Sequence, residues 1–396
     1  MRTIPLLLLF AAAPITYADQ PLTLDQALKA AKSRPALLAA SLKVASAKQD
    51  SRSLGALPPL SVGAGLSSHP DLGATDEDLF LRQSLDLFGR SSAGKALGKV
   101  RQSKAEAEAR AVALGIQTEV MTRFFEASSA FESALVAVEI REVAEKVWAA
   151  TTRRFEEGRV PEVQVLRTKM ELDRARQQER LLMAQKQSAL KLLAGAIGSP
   201  DPVLSLEQRD LALSLSQYPG QRPDVVLAQL EIDEVKAEAR SAKSGLMPEV
   251  DLYGLRSGWS NSEPRYGARL QVTWNLWDQG KGRAEAKSLA LKESSLAAAK
   301  QDAIAKAQAE LDSLDLEIKA AQDQLASYAE LIAQAKVLVE KSQKGFNEGV
   351  GTLVEVLEST RSLREVEQES IAVRLRLNLL KTASLQASGT LMESMK

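Results

Sequence analysis

The chain has 396 residues, and 51 Lys and Arg balance 51 Asp and Glu, so the formal charge at pH 7 is zero and no net field is available to hold nucleic acid as a main partner. Cysteine is absent and histidine occurs once, which excludes disulfide frameworks, thiolate catalysis, Cys/His zinc sites and any lipid anchor that needs a cysteine. Aromatics are 4% while Ala, Leu, Glu, Lys, Gln and Arg fill long stretches, a bias toward extended helices rather than a thick globular core.

Residues 1–18 read as a secretory signal. Arg2 supplies the charged start, Leu6 to Ala13 form a short apolar run, and Thr16-Tyr17-Ala18 places small residues before a cut. The run is broken by Pro5 and Pro14 and is too short to span a bilayer, which takes roughly 20 residues. The chain is therefore expected to leave the cytoplasm and, lacking a long apolar helix, to enter a membrane only as a β-barrel.

The remainder reads as the same plan written twice. Phe155-Glu156-Glu157-Gly158 aligns with Phe346-Asn347-Glu348-Gly349, Leu87-Phe88 with Leu276-Trp277, Leu57-Pro58 with Met247-Pro248, and Arg34-Pro35 with Arg222-Pro223. The offsets run from 188 to 191, far too long for a solenoid period. The expected organisation is a first repeat at 19–198, a linker at 199–220 rich in Pro, Ser and Gln, a second repeat at 221–388 and a tail at 389–396.

In the first repeat, Thr23 with Gln26 makes a capping box for a helix over about 23–55. Strands follow at about 60–68 and 78–88, where Leu60, Val62, Ala64 and Leu66 alternate with small residues and Leu79, Leu81, Leu85 and Leu87 alternate mostly with Arg82, Ser84 and Asp86. A proline-free helix over about 90–157 comes next, some 100 Å long at 1.5 Å per residue, then a Gly-Arg-Val-Pro turn and a return helix over about 161–196. The second repeat opens at Pro223-Asp224 with a helix over about 223–245, then strands at about 249–259 and 265–277. Tyr266, Ala268, Leu270, Val272, Trp274 and Leu276 alternate there without a break. A helix over about 281–348 carries Ile304, Leu311, Ile318, Leu325, Ile332, Val339 and Phe346 at every seventh place, with Ala307, Leu314, Ala321, Tyr328 and Ala335 three places on, a coiled-coil seam. Gly349-Val350-Gly351 turns it back into a helix over about 352–387. The fold class is thus mainly α with a small β part, a duplicated helix, β-hairpin and long antiparallel helical hairpin.

Strands of this length and alternation suit an outer-membrane barrel, and Tyr253, Trp259, Tyr266, Trp274 and Trp277 lie where an interfacial aromatic belt would need them. Four strands cannot close a barrel, so the pattern asks for an oligomer.

With Leu22-Thr23-Leu24-Asp25-Gln26-Ala27-Leu28, Arg222-Pro223-Asp224-Val225, Leu246-Met247-Pro248, Trp274-Asn275-Leu276-Trp277 and Gly345-Phe346-Asn347-Glu348-Gly349 in this order, the chain resembles the TolC-type outer-membrane efflux proteins over nearly all of its mature length. The resemblance implies a homotrimer with a twelve-stranded barrel in the outer membrane of a Gram-negative bacterium and an α-helical tunnel in the periplasm. It implies a passive conduit in tripartite efflux or type I secretion, with outer-membrane lipid, a periplasmic adaptor and an inner-membrane pump of RND or ABC type as partners. It implies no cofactor, metal or enzymatic activity. The turns at Gly158, Val160, Gly349 and Gly351 are the expected tips for adaptor contact. Glu355 and Glu358, three residues apart on one helical face, are the expected periplasmic gate with Arg167 beside them. A periplasmic adaptor, or a structural coiled-coil protein, is the competing reading; it leaves the doubled hairpins unexplained.

Overall fold

The computed structural model describes residues 21–69, 74–199, 205–207, 211, 221–257, 265–274 and 277–395. The expected signal segment and Trp259 lie outside the described residues. The elements run α1 (Leu24–Ala31), α2 (Pro35–Leu54), β1 (Leu60–His69), β2 (Ala74–Leu85), α3 (Arg90–Glu156), α4 (Glu162–Ile197), α5 (Pro223–Gly245), β3 (Glu249–Ser257), β4 (Arg265–Thr273), α6 (Lys281–Glu348) and α7 (Leu353–Ser388).

The capping box forms as expected: the Gln26 amide donates to Thr23 Oγ1 and the Thr23 amide donates to Gln26 Oε1. The helix expected over 23–55 is, however, two helices. Pro35 disfavours helical backbone in the residue before it and has no N–H to give. The amides of Lys32, Ser33 and Arg34 therefore close short bonds to the carbonyls three residues back, and the helix restarts at Pro35. Strand ends move as well: β2 begins four residues before the expected 78 and stops at Leu85, and β4 stops at Thr273. The first strand also runs one residue past the expected 68, to His69 opposite Ala74.

The duplication shows in the backbone. Among the described residues, the six glycines with positive φ form three pairs, Gly89 with Gly280, Gly158 with Gly349 and Gly198 with Gly389, each 191 positions apart. They mark the start of each long helix, the turn that ends it and the end of each return helix, places where a left-handed residue frees the chain to change direction.

The chain divides into two compact units, and neither is one of the sequence halves. Residues 35–113 and 218–309 form the first, so its sheet combines both hairpins in the order β1-β2-β3-β4, antiparallel throughout. Here α2 meets the start of α3 closely: a Cβ at Gly94 would collide with the Leu54 carbonyl oxygen. An ion cluster joins α3 to α5, with Arg101 and Lys104 on Glu234 at 2.9 and 3.1 Å.

The two long helices begin by one device. The Asp86 carboxylate accepts the amides of Arg90 and Ser91 at 2.7 and 2.9 Å. Asp278 accepts those of Gly280 and Gly282 at 3.0 and 2.7 Å. Each carboxylate satisfies amides that have no partner inside the helix and sits at the positive end of its dipole.

Residues 1–34, 114–217 and 310–396 form the second unit. Val120, Met121, Phe124, Ala127 and Ala134 are buried along α3, and Leu311, Ile318, Ala321, Ala335, Val339 and Phe346 along α6, so most of the heptad seam in this unit is core. Ile318 and Ala321 pack on Leu377 of α7, and Ala335 and Val339 on Leu363. Buried Gln117 donates to the Thr390 carbonyl and accepts from the Met392 amide, which docks the C-terminal tail on α3.

Candidate functional site

The register sorts the sheet into two faces. Residues paired across strands share a face, and Leu60, Val62, Leu81, Leu252, Leu270 and Val272 all fall on one of them. All six are exposed. The other face carries Ser61, Arg82, Asp251, Tyr253, Arg269 and Gln271. An alternation that leaves the apolar side bare gives a sheet one surface that shuns water and one that takes it.

The aromatic residues expected to form a belt divide between these surfaces. Tyr266 is exposed on the apolar face near the β3–β4 turn. At the helical end Trp274 is exposed, its indole N–H reaching the Leu246 carbonyl at 3.3 Å, and Trp277 is 84% exposed. Tyr253 lies on the other face. It stands opposite Arg82 and Arg269 on the polar face, with the Arg82 guanidinium 5.8 Å from its ring centre and Phe80 at 6.0 Å. On β3 the odd-numbered positions face away from Leu252, which residue type alone does not reveal.

In the second unit the long helices turn at Gly158 (φ 73°) and Gly349 (φ 86°). The Gly158 amide donates to the Phe155 carbonyl, and the amides of Val350 and Gly351 both reach the carbonyl of Gly345. Val160 is partly exposed next to Pro161, and Val350 is the barest apolar side chain at the turns, 87% exposed. Val147, Phe346, Leu353 and Val356 make a small core just behind.

Glu355 and Glu358 share the start of α7, yet they are engaged differently. Glu355 is the third residue of a capping box: its carboxylate accepts the Thr352 amide at 3.1 Å while its own amide reaches Thr352 Oγ1 at 3.3 Å. Glu358 stands 3.9 Å from Arg361 and lines a cleft of about 590 Å³ formed by the end of α3, the start of α4 and the start of α7. Arg167 lines that cleft too; Glu355 does not. Among the described residues Arg167 has no ion-pair or hydrogen-bond partner. Arg174, Arg361 and Arg364 also face the cleft, against only Glu171 and Glu358, over an apolar floor that includes Leu166 and Leu357.

Two groupings near these sites were not legible in the sequence. The Arg82–Asp251 pair, 2.8 Å long with its carboxylate buried, joins residues 169 apart that only the β2–β3 pairing brings together. Arg154, the residue just before the quoted Phe155-Glu156-Glu157-Gly158 motif, is the second: its guanidinium stacks 4.4 Å from the Phe346 ring centre and donates to the Asn347 carbonyl at 3.0 Å.

Comparison with known proteins gives this geometry a context. Residues 27–199 and 215–388 match the family described as outer membrane efflux protein. The pyoverdine export outer membrane protein OpmQ of Pseudomonas aeruginosa is 25% identical over 260 residues, 62% of this chain and 53% of that protein; the match spans about half the relative's length. Among solved structures, CusC superposes with a TM-score of 0.79 at 17% identity, covering 93% of this chain and 92% of its own. Vibrio cholerae VceC gives 0.74 at 16%, covering 93% and 96%, and the open state of Neisseria gonorrhoeae MtrE gives 0.75 at 16%, covering 93% and 89%. These likenesses establish a shared fold.

Proposed function

The chain belongs to the outer membrane efflux protein family, and from that premise we propose that it works as a trimeric, passive conduit that crosses the outer membrane and reaches into the periplasm, the exit channel of a tripartite efflux or secretion system. The observation that carries this reading is the sheet. Its four strands of 10, 12, 9 and 9 residues are long enough to cross a bilayer when tilted, they bare an apolar face, and β1 and β4 remain unpaired edges within the chain. Unpaired strand edges are not tolerated in lipid. Three copies joined edge to edge give twelve strands and no edge.

The helices ask for neighbours as well. Helix α2 has no buried residue and exposes Leu38 and Leu42. On α6, Leu316, Leu331 and Leu338 form a second, bare stripe beside the seam that α7 covers. In a trimer these surfaces meet adjacent copies and complete an α-helical tunnel. The turns at Gly158, Val160, Gly349 and Gly351 are the contact points for a periplasmic adaptor, which links the conduit to an inner-membrane pump. Glu355, Glu358 and Arg167 stand at the gate, and Tyr266, Trp274 and Trp277 form the belt at the lipid interface. The likeness to a pyoverdine exporter supports export of small organic cargo.

Cross-linking and sedimentation of the protein extracted from outer membranes in detergent test this directly. Three chains per particle and single-channel conductance are expected. A monomer soluble without detergent would end the conduit reading.

A further inference from the structure

The polar face of the sheet holds a charge that its neighbours leave uncancelled. Ser61, Arg82, Tyr253 and Arg269 stand in one row across the four strands. Arg82 is committed to Asp251 at 2.8 Å. Glu249, nearer the helices, is answered by Arg90 at 3.6 Å. Arg269 is exposed, and among the described residues it has no ion-pair or hydrogen-bond partner.

In the adjacent row toward the helices the acid is Asp251, which Arg82 already holds. Toward the turns comes an uncharged row of Gly63, Phe80, Leu255 and Gly267, in which the Phe80 ring lies over Gly63 so closely that a Cβ there would collide with it. Beyond that, the register sets Asp78 and Arg265, an acid and a base, on either side of Ser257. Asp76 is six residues from Arg82 along β2, roughly 20 Å at 3.3 Å per residue, about twice the distance over which 0.1 M salt screens a charge.

We propose that Arg269 is a selectivity residue of the conduit, one guanidinium from each of three copies standing at the same height around the barrel lumen and favouring the passage of anionic small molecules. The inference rests on the conduit reading above. A neighbouring copy does not cancel the charge. Closure sets β4 beside the next copy's β1, whose polar-face positions are Ser61, Gly63, Gly65, Ser67 and His69, without a carboxylate at any register. The nearest acid of that copy is on its β2, two strands or roughly 10 Å away. The small residues of β1 also keep the wall low beside Arg269, while Tyr253 and Phe80 offer flat apolar surface on its other side. A ring of positive charge on a low-dielectric wall raises the local concentration of anions and repels cations.

Reversal potentials in planar bilayers across a KCl gradient near 0.1 M test the assignment. Relative to the parent trimer, Arg269→Gln is expected to lower the chloride-to-potassium permeability ratio roughly threefold, Arg269→Lys to keep it, and the Gln effect to fade at 1 M salt, where screening reaches only about 3 Å. Because the chain has no cysteine, Arg269→Cys gives a single thiol. A trimethylammonium thiosulfonate reagent should then restore the parent's chloride-to-potassium ratio, and a sulfonate reagent should lower it further. Conducting trimers whose selectivity ignores the Gln substitution, or in which the thiol introduced by Arg269→Cys resists both reagents, would place Arg269 off the lumen and overturn the proposal. A parent protein that never conducts would instead overturn the conduit reading, and this inference with it.

Discussion

Arg154 lies over the Phe346 ring at 4.4 Å and donates to the carbonyl of the next residue, Asn347, at 3.0 Å. One side chain at the end of α3 thereby holds both the ring and the backbone at the end of α6, joining the two turns that the repeats contribute. A guanidinium suits the task because it can stack and donate at once; an ammonium cannot present a flat face.

Replacing Arg154 should therefore loosen the second turn without unfolding the helices. Arg154→Ala is expected to cost about 1 kcal/mol locally, the size of a partly exposed cation–π contact, and Arg154→Lys to recover only part of it. Hydrogen exchange of the amides at 345–351 is the measurement. Rates there that match the parent in both variants would mean that the contact holds nothing.

The faces of β4 give a second prediction. Val272 lies on the exposed apolar face with Leu270, whereas Thr273 lies on the polar face opposite Glu249. If the apolar face meets lipid, Val272→Arg should destabilise the trimer by about 2 to 4 kcal/mol at mid-depth and less toward the interface. Thr273→Arg should be tolerated, since it adds a charge beside Glu249 in the lumen. Trimer survival on heating in detergent distinguishes the two, and equal losses would show that lipid covers neither face.

Much of this was legible in the sequence because each element is governed by local signals. Alternation at 265–273 gave a strand, sevenfold recurrence from Ile304 to Phe346 gave the seam, and Gly158 and Gly349 gave the turns. The break at Lys32–Arg34 was legible too, since Pro35 announces it, but an uninterrupted run of good helix formers hid it. What could not be read was pairing between the repeats. Arg82 meets Asp251, and Tyr253 faces Arg82, only because β2 lies against β3 in one register, and no short-range pattern specifies that register. Glu355 and Glu358 look equivalent in sequence, yet one caps α7 while the other lines a cleft whose walls come from three helices.

The starts of the long helices should respond to acid. Burial opposes ionisation of Asp86, but the amides of Ser91 and Arg90 outweigh it and hold its carboxyl below the usual aspartate value of 3.8. Asp278 is lowered chiefly by the amides of Gly282 and Gly280. A depressed pKa contributes stability that is present above the unfolded value and is lost as pH falls through the folded one. Asp86→Asn should cost roughly 0.5 kcal/mol near pH 7, and the gap between parent and the Asp86→Asn, Asp278→Asn double variant should close below about pH 4. Unfolding midpoints from pH 6 to pH 3 check this. A gap that stays the same from pH 6 to pH 3 would show that the charges do not matter.

The gate gives the last prediction. If Glu355 and Glu358 ring the periplasmic mouth, three copies place six carboxylates about one axis, which favours cations and weakens as salt screens them. Glutamine is a conservative probe at both positions: it ranks with glutamate in helix propensity, and at position 355 it can still complete the capping box with Thr352. In the cleft, removing the Glu358 charge leaves Arg167, Arg174, Arg361 and Arg364 facing Glu171 alone, so local potential and ring charge shift in the same direction. The Glu355→Gln, Glu358→Gln channel should therefore lose cation preference and block by divalent ions while its trimer mass and helix content stay those of the parent. Arg167, which shares the cleft with Glu358 and is otherwise unpaired among the described residues, should help hold the mouth closed, so Arg167→Gln should raise basal conductance. Unchanged ion selectivity in the double variant, with Arg167→Gln conducting like the parent, would put this face of α7 outside the pore and leave Glu355 as a helix cap alone.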